Sequence, residues 1–130
     1  DNITIVKEFN SKEDIEVFDS ELMQVILNIL KNSQDNFEEK KTPNPSIIIY
    51  VSDTKISICD NGGGVPEEII HKVFIPYFST KNEKNGTGLG LYMSKIIVEE
   101  HHHGKLLVKN KRDGACFILE LNKTLTPESE

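Results

Sequence analysis

The alternation of apolar and polar positions along the chain predicts its first two elements. Around Ile3 and Ile5, the segment NITIVKEF alternates with the period of a half-buried strand. Residues 19–37 then change to a helical period, in which five positions would share one side of a long helix: Leu22, Ile26, Ile29, Ser33 and Phe37. Asp19 or Ser20 provides a cap for this helix.

Later apolar runs predict two hairpins and two further helices. SIIIYVS and KISICD form a pair of strands joined by a turn at residues 53–55, and GKLLVKN and ACFILELN form a second pair joined at KRDG. Between the pairs, Pro66 followed by two glutamates begins a short helix over EEIIHKVF, and GLGLYMSKIIVEEH has the pattern of a third helix. This order of elements predicts an α+β sandwich with a mixed sheet.

Length and composition restrict the class of protein. The 130 residues suit a single domain, and a hydrophobic share of 37% with a charged share of 28% is typical of a soluble globular protein. No apolar run approaches the ~20 residues of a membrane span, so we expect this chain not to cross a membrane directly. Because the first residue is Asp1 rather than Met, we expect an excised piece, whose lack of a signal peptide says nothing about its parent.

Charge and cysteine content narrow the function and the compartment. The net charge is −6 and the lysines are dispersed, which argues against a nucleic-acid surface. An acidic protein can still bind a phosphorylated small molecule if local donors or a metal ion supply positive charge. Cys59 and Cys116 each lie in an apolar, strand-like run, so we expect two reduced core cysteines rather than a disulfide, as in a reducing cytoplasm.

Two glycine clusters indicate where a ligand would bind. Six of the eight glycines lie in them, at residues 62–64 and at Gly86, Gly88 and Gly90, each directly ahead of a predicted helix. Glycine lets the backbone approach a ligand closely, and the free N–H groups at a helix start suit phosphate. Neither cluster has the spacing of a P-loop or a Rossmann site, so both are disfavoured. Turn formation is the alternative for either cluster alone.

Polar residues outside these clusters are candidates for further ligand contacts. Asn28 and Asn32 lie four residues apart on one predicted helix face, in the same stripe as Glu21 and Asp35. An amide oxygen of this pair would suit Mg²⁺, and a solvated polar face is the alternative. Asp60 ends an apolar strand, where it would serve either as a turn former or as an acceptor for the exocyclic amine of adenine.

Four motifs occur in order along the chain: ELMQVILNILKNSQDNF, DNGGGVP, VFIPYFSTK and GTGLGLYMSKIIVEEH. They resemble, in the same order, the asparagine box, first glycine box, phenylalanine box and second glycine box of the catalytic, ATP-binding domain of two-component sensor histidine kinases. The resemblance implies a Bergerat fold, a two-layer α/β sandwich in which a mixed sheet of about five strands is backed by three helices. It also implies one catalytic domain over residues 1–122 and a flexible tail over residues 123–130.

The resemblance implies ATP and Mg²⁺ as cofactors and assigns roles to individual residues. Asn32 would coordinate Mg²⁺ with Asn28 beside it, and Asp60 would bind the adenine amino group. The full set expected to contact the nucleotide is Asn28, Asn32, Asp35, Asp60, Gly62, Gly64, Val65, Phe74, Thr80, Lys81, Gly86, Thr87, Gly88, Leu89, Gly90, Leu91 and Cys116.

A lid over residues 74–87 is also implied, anchored by Phe74 and Phe78, with Lys81 reaching the γ-phosphate. Related ATPases use a glutamate where this chain has Asn28, and an amide cannot take a proton from water. The resemblance therefore implies phosphoryl transfer rather than ATP hydrolysis, with Asn28 and Lys81 as the expected catalytic residues.

Two positions depart from the family's pattern. Cys116 lies where the family often has a threonine near the adenine, and Asp35 lies where some members carry a basic residue toward the phosphates. The run HHHG, at residues 101–104, resembles the family's linker into the next strand, so we expect a native segment rather than a metal cluster.

The implied function is donation of the γ-phosphoryl group of Mg-ATP to a histidine on a separate dimerisation domain, in two-component signalling. The expected location is the cytoplasm, either as a cytoplasmic protein or as the cytoplasmic portion of a membrane-anchored sensor. That domain and the receiver domain of a response regulator are the expected partners, and nucleic acid is not. None of the four histidines lies in the family's acceptor motif, so we expect the phosphoacceptor outside this chain. A regulatory nucleotide-sensing module and an anti-sigma-type serine kinase on the same scaffold are the alternatives.

Overall fold

A mixed five-stranded sheet organises the fold. A computed structural model describes residues 4–9, 20–52, 54–76 and 89–121 of the chain. The strand order is β1-β2-β3-β5-β4, with β1 parallel to β2 and every other neighbouring pair antiparallel. The predicted mixed sheet and both predicted hairpins are confirmed. The strands are β1 (Thr4–Phe9), β2 (Ser46–Val51), β3 (Lys55–Asp60), β4 (Lys105–Asn110) and β5 (Ala115–Glu120).

Two helices accompany the sheet. Helix α1 covers Ser20–Lys40 and so extends one turn beyond the predicted end at Phe37. Helix α2 covers Gly90–Ile96 and widens into a single π-helical turn over Ile97–His101. The predicted first and third helices are therefore confirmed, with boundaries that differ by a few residues.

The predicted second helix, over EEIIHKVF, is wrong in extent. This segment contains only a 3-10 turn, Ile70–Lys72, and the backbone N–H groups that follow bond three residues back, as the Ile75 N–H does to the Lys72 carbonyl (3.0 Å). Pro76 disfavours the α conformation for the residue before it, and Phe74 packs against the core. The chain therefore turns in three-residue steps instead of continuing as an α-helix.

The hydrophobic core lies between the helices and one face of the sheet. The predicted apolar side of α1 is buried at Leu22, Ile26, Ile29, Ser33 and Phe37. It packs with sheet residues that alternate along the strands: Ile47, Ile49, Ile56, Ile58, Phe117 and Leu119. The helices thus cover one face of the sheet, which confirms the two-layer sandwich.

The expectation of two reduced cysteines is wrong. Cys59 on β3 and Cys116 on β5 stand directly opposite each other in the antiparallel register, with Cα atoms 4.0 Å apart, and their sulfur atoms are bonded. Side chains of directly opposed residues lie on the same face of a sheet, so the two cysteines meet once the strands pair. Because the two cysteines are 57 residues apart in the chain, no local sequence pattern indicates that they pair.

Candidate functional site

The carboxylate of Asp60 ends the middle strand of the sheet and is held from several sides. Ser33 of α1 is only 1% exposed and donates its hydroxyl to Asp60 Oδ2 at 2.8 Å. The backbone N–H groups of Gly62 and Ala115 donate to Oδ1 at 2.9 and 3.3 Å. Among the described residues, Oδ2 therefore has one donor and retains capacity to accept a second hydrogen bond.

Two glycines in the loop after Asp60 occupy positions that leave little room for a larger side chain. A Cβ at Gly62 would lie 3.2 Å from the Phe37 ring of α1. Gly64 has a φ of +80°, and a Cβ there would lie 2.7 Å from the side-chain oxygen of Asn110. The loop formed by residues 61–65, hereafter the glycine loop, can therefore lie close to α1 and β4.

Asn110, at the end of β4, clamps the glycine loop. Its Oδ1 accepts the Val65 N–H at 2.7 Å and its Nδ2 donates to the Val65 carbonyl at 2.6 Å, in the manner of a neighbouring strand. Lys40 of α1 adds a hydrogen bond from Nζ to the Gly64 carbonyl at 3.1 Å. Val65, predicted to contact a nucleotide, thus has its backbone polar groups occupied by Asn110.

The helix that bears the predicted polar stripe is attached to Asp60 through Ser33. Asn32 directly precedes Ser33, whose hydroxyl bonds to Asp60, and Asn28 lies one turn earlier on the same helix face. Asp35, in the same stripe, is buried and pairs with Lys31 at 3.2 Å, one turn before it. Asn28 and Asn32 therefore lie on the helix that the Ser33 hydroxyl attaches to Asp60.

Asn28 connects this stripe to the start of α2. Its side-chain Nδ2 donates to the Gly90 carbonyl at 3.3 Å and to the Ser94 hydroxyl oxygen at 3.1 Å. A Cβ at Gly90 would approach only the Asn28 side chain, at 3.9 Å, among the described residues. The packing of the described residues therefore does not by itself require glycine at this position.

The structure also describes three further residues that were predicted to contact the nucleotide: Leu89, Leu91 and Phe74. The Leu89 carbonyl accepts the Met93 N–H at 2.8 Å at the first turn of α2. Leu91 is partly buried and packs against the core, and its contact with a nucleotide stays a prediction. The Phe74 ring packs edge-on against Phe117, with centroids 6.2 Å apart, which supports the prediction that Phe74 is an anchor.

Cys116 does not lie beside Asp60 on the helix-covered face. It is bonded to Cys59, the neighbour of Asp60, and successive side chains of a strand point to opposite faces of the sheet. Asp60 contacts Ser33 of α1, so the disulfide lies on the face turned away from the helices. This geometry contradicts the prediction that Cys116 contacts the nucleotide; the backbone of Ala115 reaches Asp60 instead.

The remaining predictions lie outside the described residues. They concern the predicted tail, the second lid anchor and the loop residues expected at the phosphates: residues 123–130, Phe78, Thr80, Lys81, Gly86, Thr87 and Gly88.

Three residues at the site were missed from the sequence, namely Ser33, Ser94 and Asn110. For Ser33 the signal was present, since a serine on the apolar side of a predicted helix must find a hydrogen-bond partner when buried. Ser94 and Asn110 contact residues more than 40 positions away, and no local pattern indicates such partners.

Comparison with known proteins identifies the family of the chain. Residues 19–125 match the family described as histidine kinase-, DNA gyrase B- and HSP90-like ATPase. The chain belongs to this ATPase family. It is 32% identical over 114 residues to the two-component sensor PprA of Pseudomonas aeruginosa, an alignment that covers 78% of this chain and 12% of PprA. The chain thus spans about an eighth of the length of that relative.

Solved structures of the family agree with the fold. The nucleotide-free catalytic domain of histidine kinase ThkA superimposes with a TM-score of 0.70 at 30% identity, covering 93% of this chain and 80% of that one. ThkA in complex with the response regulator TrrA gives a TM-score of 0.58 at 27% identity, covering 93% of this chain and 35% of that one. In the part of the chain that the structure describes, no helix combines the length and apolar character of a membrane span.

Proposed function

We propose that this chain binds Mg-ATP and donates the γ-phosphoryl group to a histidine on a separate dimerisation domain, in two-component signalling. The observation that carries the proposal is the 2.8 Å hydrogen bond between Ser33 and Asp60. It joins the carboxylate expected at the adenine to the helix that bears Asn28 and Asn32. Helix α1 and the carboxylate bonded to it would then bind the two ends of the nucleotide. Membership of the ATPase family and the likeness to ThkA support the same function.

At the adenine end, Asp60 would accept a hydrogen bond from the exocyclic amine. Its Oδ1 already accepts two backbone N–H groups, whereas Oδ2 accepts only the Ser33 hydroxyl among the described residues. Guanine presents a carbonyl oxygen at the corresponding position, and two acceptors repel each other. Asp60 would therefore select ATP over GTP.

At the phosphate end, the amide oxygen of Asn32 suits Mg²⁺, which prefers oxygen ligands, and Asn28 lies beside it on the same helix face. The Nδ2 of Asn28 is directed at the Gly90 carbonyl, so its oxygen faces away from α2. Neutral amides add no negative charge beside a triphosphate. When bound, the ion would supply neutralisation of the phosphate charge. Lys31, paired with Asp35, would limit the repulsion between that carboxylate and the phosphates.

The chemistry favoured is transfer rather than hydrolysis. Asn28 donates to the Gly90 carbonyl and to Ser94, and an amide has no basic lone pair that could take a proton from water. Phosphoryl transfer relies mainly on positioning and charge neutralisation. Lys81 stays a predicted γ-phosphate contact.

Calorimetric titration tests the binding part of this proposal. We expect ATP to bind more tightly with Mg²⁺ than without it, and GTP to bind at least about tenfold more weakly than ATP, because an unpaired buried acceptor costs more than about 1 kcal/mol. Asn32→Ala should remove most of the gain from Mg²⁺. Equal affinity for ATP and GTP would refute the role of Asp60.

A phosphorylation assay tests the transfer part. The chain is mixed with a histidine-bearing dimerisation domain and labelled ATP, and the product should carry acid-labile phosphohistidine. Base-labile, acid-stable phosphate would indicate a serine kinase, and ATP binding without any transfer would indicate a nucleotide-sensing module. We also propose that the receiver domain of a response regulator takes up the phosphoryl group from that histidine.

A further inference from the structure

Ser94 is a buried hydroxyl next to the expected phosphate end. Its side chain is 0% exposed, and it lies on α2 one turn after Gly90. Both residues meet the same partner, because the Asn28 Nδ2 lies 3.1 Å from the Ser94 hydroxyl oxygen and 3.3 Å from the Gly90 carbonyl oxygen. Positions four apart on a helix share a face, which explains how they converge on one amide.

These contacts determine the orientation of the Asn28 amide. A backbone carbonyl oxygen only accepts hydrogen bonds, so the NH₂ group of Asn28 must be the part that faces Gly90. The second N–H of that group is then directed to the Ser94 oxygen. Both donors of the amide are occupied by α2, and Oδ1 is left on the opposite side.

Packing alone does not explain a serine at this position. Alanine has nearly the same volume and avoids the cost of burying a hydroxyl. Serine is favoured over alanine only if its oxygen is used, and the Asn28 amide is the partner that the structure gives it. Ser94 therefore acts on the site through Asn28.

We propose that Ser94 is a positioning residue for the metal and phosphate end of the site. It holds the Asn28 amide so that Oδ1 faces the stripe that Asn28 shares with Asn32 on α1. This inference rests on the proposed Mg-ATP site and adds to it the residue that orients the Asn28 amide beside the predicted Mg²⁺ ligand Asn32. Without Ser94, the Asn28 side chain keeps the Gly90 contact but loses the second contact that restricts its rotation.

The test compares two buried serines at opposite ends of the site. Calorimetry measures ATP affinity with and without Mg²⁺ for Ser94→Ala and for the matched control Ser33→Ala, whose hydroxyl bonds to Asp60. For Ser94→Ala we expect the gain in affinity from Mg²⁺ to fall roughly 3- to 10-fold, the equivalent of one hydrogen bond, with Mg²⁺-free affinity unchanged. Ser33→Ala should lower the affinity for ATP by the same factor with and without Mg²⁺. An unchanged gain from Mg²⁺ in Ser94→Ala overturns the inference.

A double-mutant comparison separates positioning from folding. If Ser94 acts through Asn28, Asn28→Ala combined with Ser94→Ala should bind Mg-ATP no more weakly than Asn28→Ala alone. Additive losses contradict the inference. Ser94→Cys places a larger sulfur, which accepts hydrogen bonds more weakly, at the same position and should give an intermediate gain from Mg²⁺. This variant keeps the test available if the alanine variant unfolds.

A nucleotide-free readout distinguishes this inference from the proposed function. The side-chain NH₂ signals of Asn28, assigned by their loss in Asn28→Ala, should shift and exchange faster with water in nucleotide-free Ser94→Ala than in the unsubstituted chain. Unchanged signals overturn the inference whatever the nucleotide does. The two proposals can also fail separately. If Mg²⁺ gives the unsubstituted chain no gain in ATP affinity, while the Asn28 signals do change in Ser94→Ala, the proposed metal site is refuted but the orientation of Asn28 by Ser94 is supported.

Discussion

The Ser33 hydroxyl joins the long helix to the end of the central strand. It is buried on the apolar side of α1 and donates to Asp60 Oδ2, so a single polar residue interrupts the hydrophobic face at the point where the site needs a contact. A buried hydroxyl without a partner is costly, and the carboxylate supplies that partner. The same bond fixes the position of Asp60 relative to Asn32.

Ser33→Ala should reduce both stability and nucleotide affinity. Removing the hydroxyl leaves Asp60 Oδ2 with one donor fewer, and we expect the free energy of unfolding to fall by about 1 to 3 kcal/mol. Urea unfolding and ATP calorimetry measure the two effects. Ser57→Ala on β3, whose side chain lies on the same face of the sheet as Cys59, is the control and should change neither by much. Equal effects of the two substitutions would contradict the role of Ser33.

The two glycines of the glycine loop that have positive φ should differ in their tolerance of alanine. At Gly64 a Cβ would meet the Asn110 oxygen, which is held by the Val65 N–H and cannot move freely, and we expect a loss of about 2 to 3 kcal/mol in unfolding free energy. At Gly63 the nearest atom is the mobile end of Lys40, so only the cost of positive φ, about 1 kcal/mol, should remain. Thermal unfolding of the two variants tests the difference, and a larger loss at Gly63 would contradict it.

Among the secondary-structure elements, paired strands β3 and β5 form one part of the site. The backbone of Ala115, the first residue of β5, donates to Asp60 at the last residue of β3. A Cβ at Gly114, just before β5, would overlap the Asp60 carbonyl, so the approach of these chain segments depends on glycine there. The disulfide lies next to this contact on the opposite face of the sheet.

Removing the disulfide should destabilise the sheet more than it affects the site. The bond closes a loop with a sequence separation of 57 residues, and we expect its loss to lower the free energy of unfolding by about 2 to 4 kcal/mol. Urea unfolding with and without a thiol reductant measures this difference, and the variant with both Cys59→Ser and Cys116→Ser is the control that should not respond to reductant. The free energy of ATP binding should change by less than the free energy of unfolding, since Asp60 lies on the opposite face of the sheet from the disulfide. Two alkylatable thiols in the unreduced protein would contradict the bond.

Across the whole molecule, stability depends on the packing of α1 against the sheet. Val25 and Ile29 of α1 are fully buried, as is Ile56 of the sheet, and the core they form also includes Val98. The site lies at the edge of this core, because Ser33 and Phe37 of the same helix face contact Asp60 and the glycine loop.

Truncation of the buried helix face should therefore unfold the protein before it alters the chemistry. Ile29→Ala, at a position 0% exposed, should cost about 2 to 5 kcal/mol in unfolding free energy because it leaves a cavity. Leu27→Ala, two residues earlier and 58% exposed, should change stability by no more than about 0.5 kcal/mol. Denaturant unfolding of both variants is the measurement. A similar cost for the two would mean that α1 packs through a different face.

By itself, the sequence determined the features that depend on near neighbours in the chain. The apolar side of α1, the five strands and the position of Asp60 before three glycines all follow from periodicity and local conformational preference, which act over a few residues. The order of four motifs sufficed to indicate the family. Among the described elements, the predicted second helix was wrong in extent and gave a 3-10 turn at Ile70–Lys72, because Pro76 and the core contact of Phe74 overrode a weak helical preference.

Only the tertiary structure decided which distant residues meet. Strand register places Cys59 opposite Cys116, where they form a disulfide. Packing of α1 brings Ser33 within hydrogen-bond distance of Asp60 and Asn28 within hydrogen-bond distance of Ser94 on α2. Each of these contacts joins residues from 27 to 66 positions apart in the chain. Such contacts form only when packing brings the elements together, and no local pattern of residues encodes them.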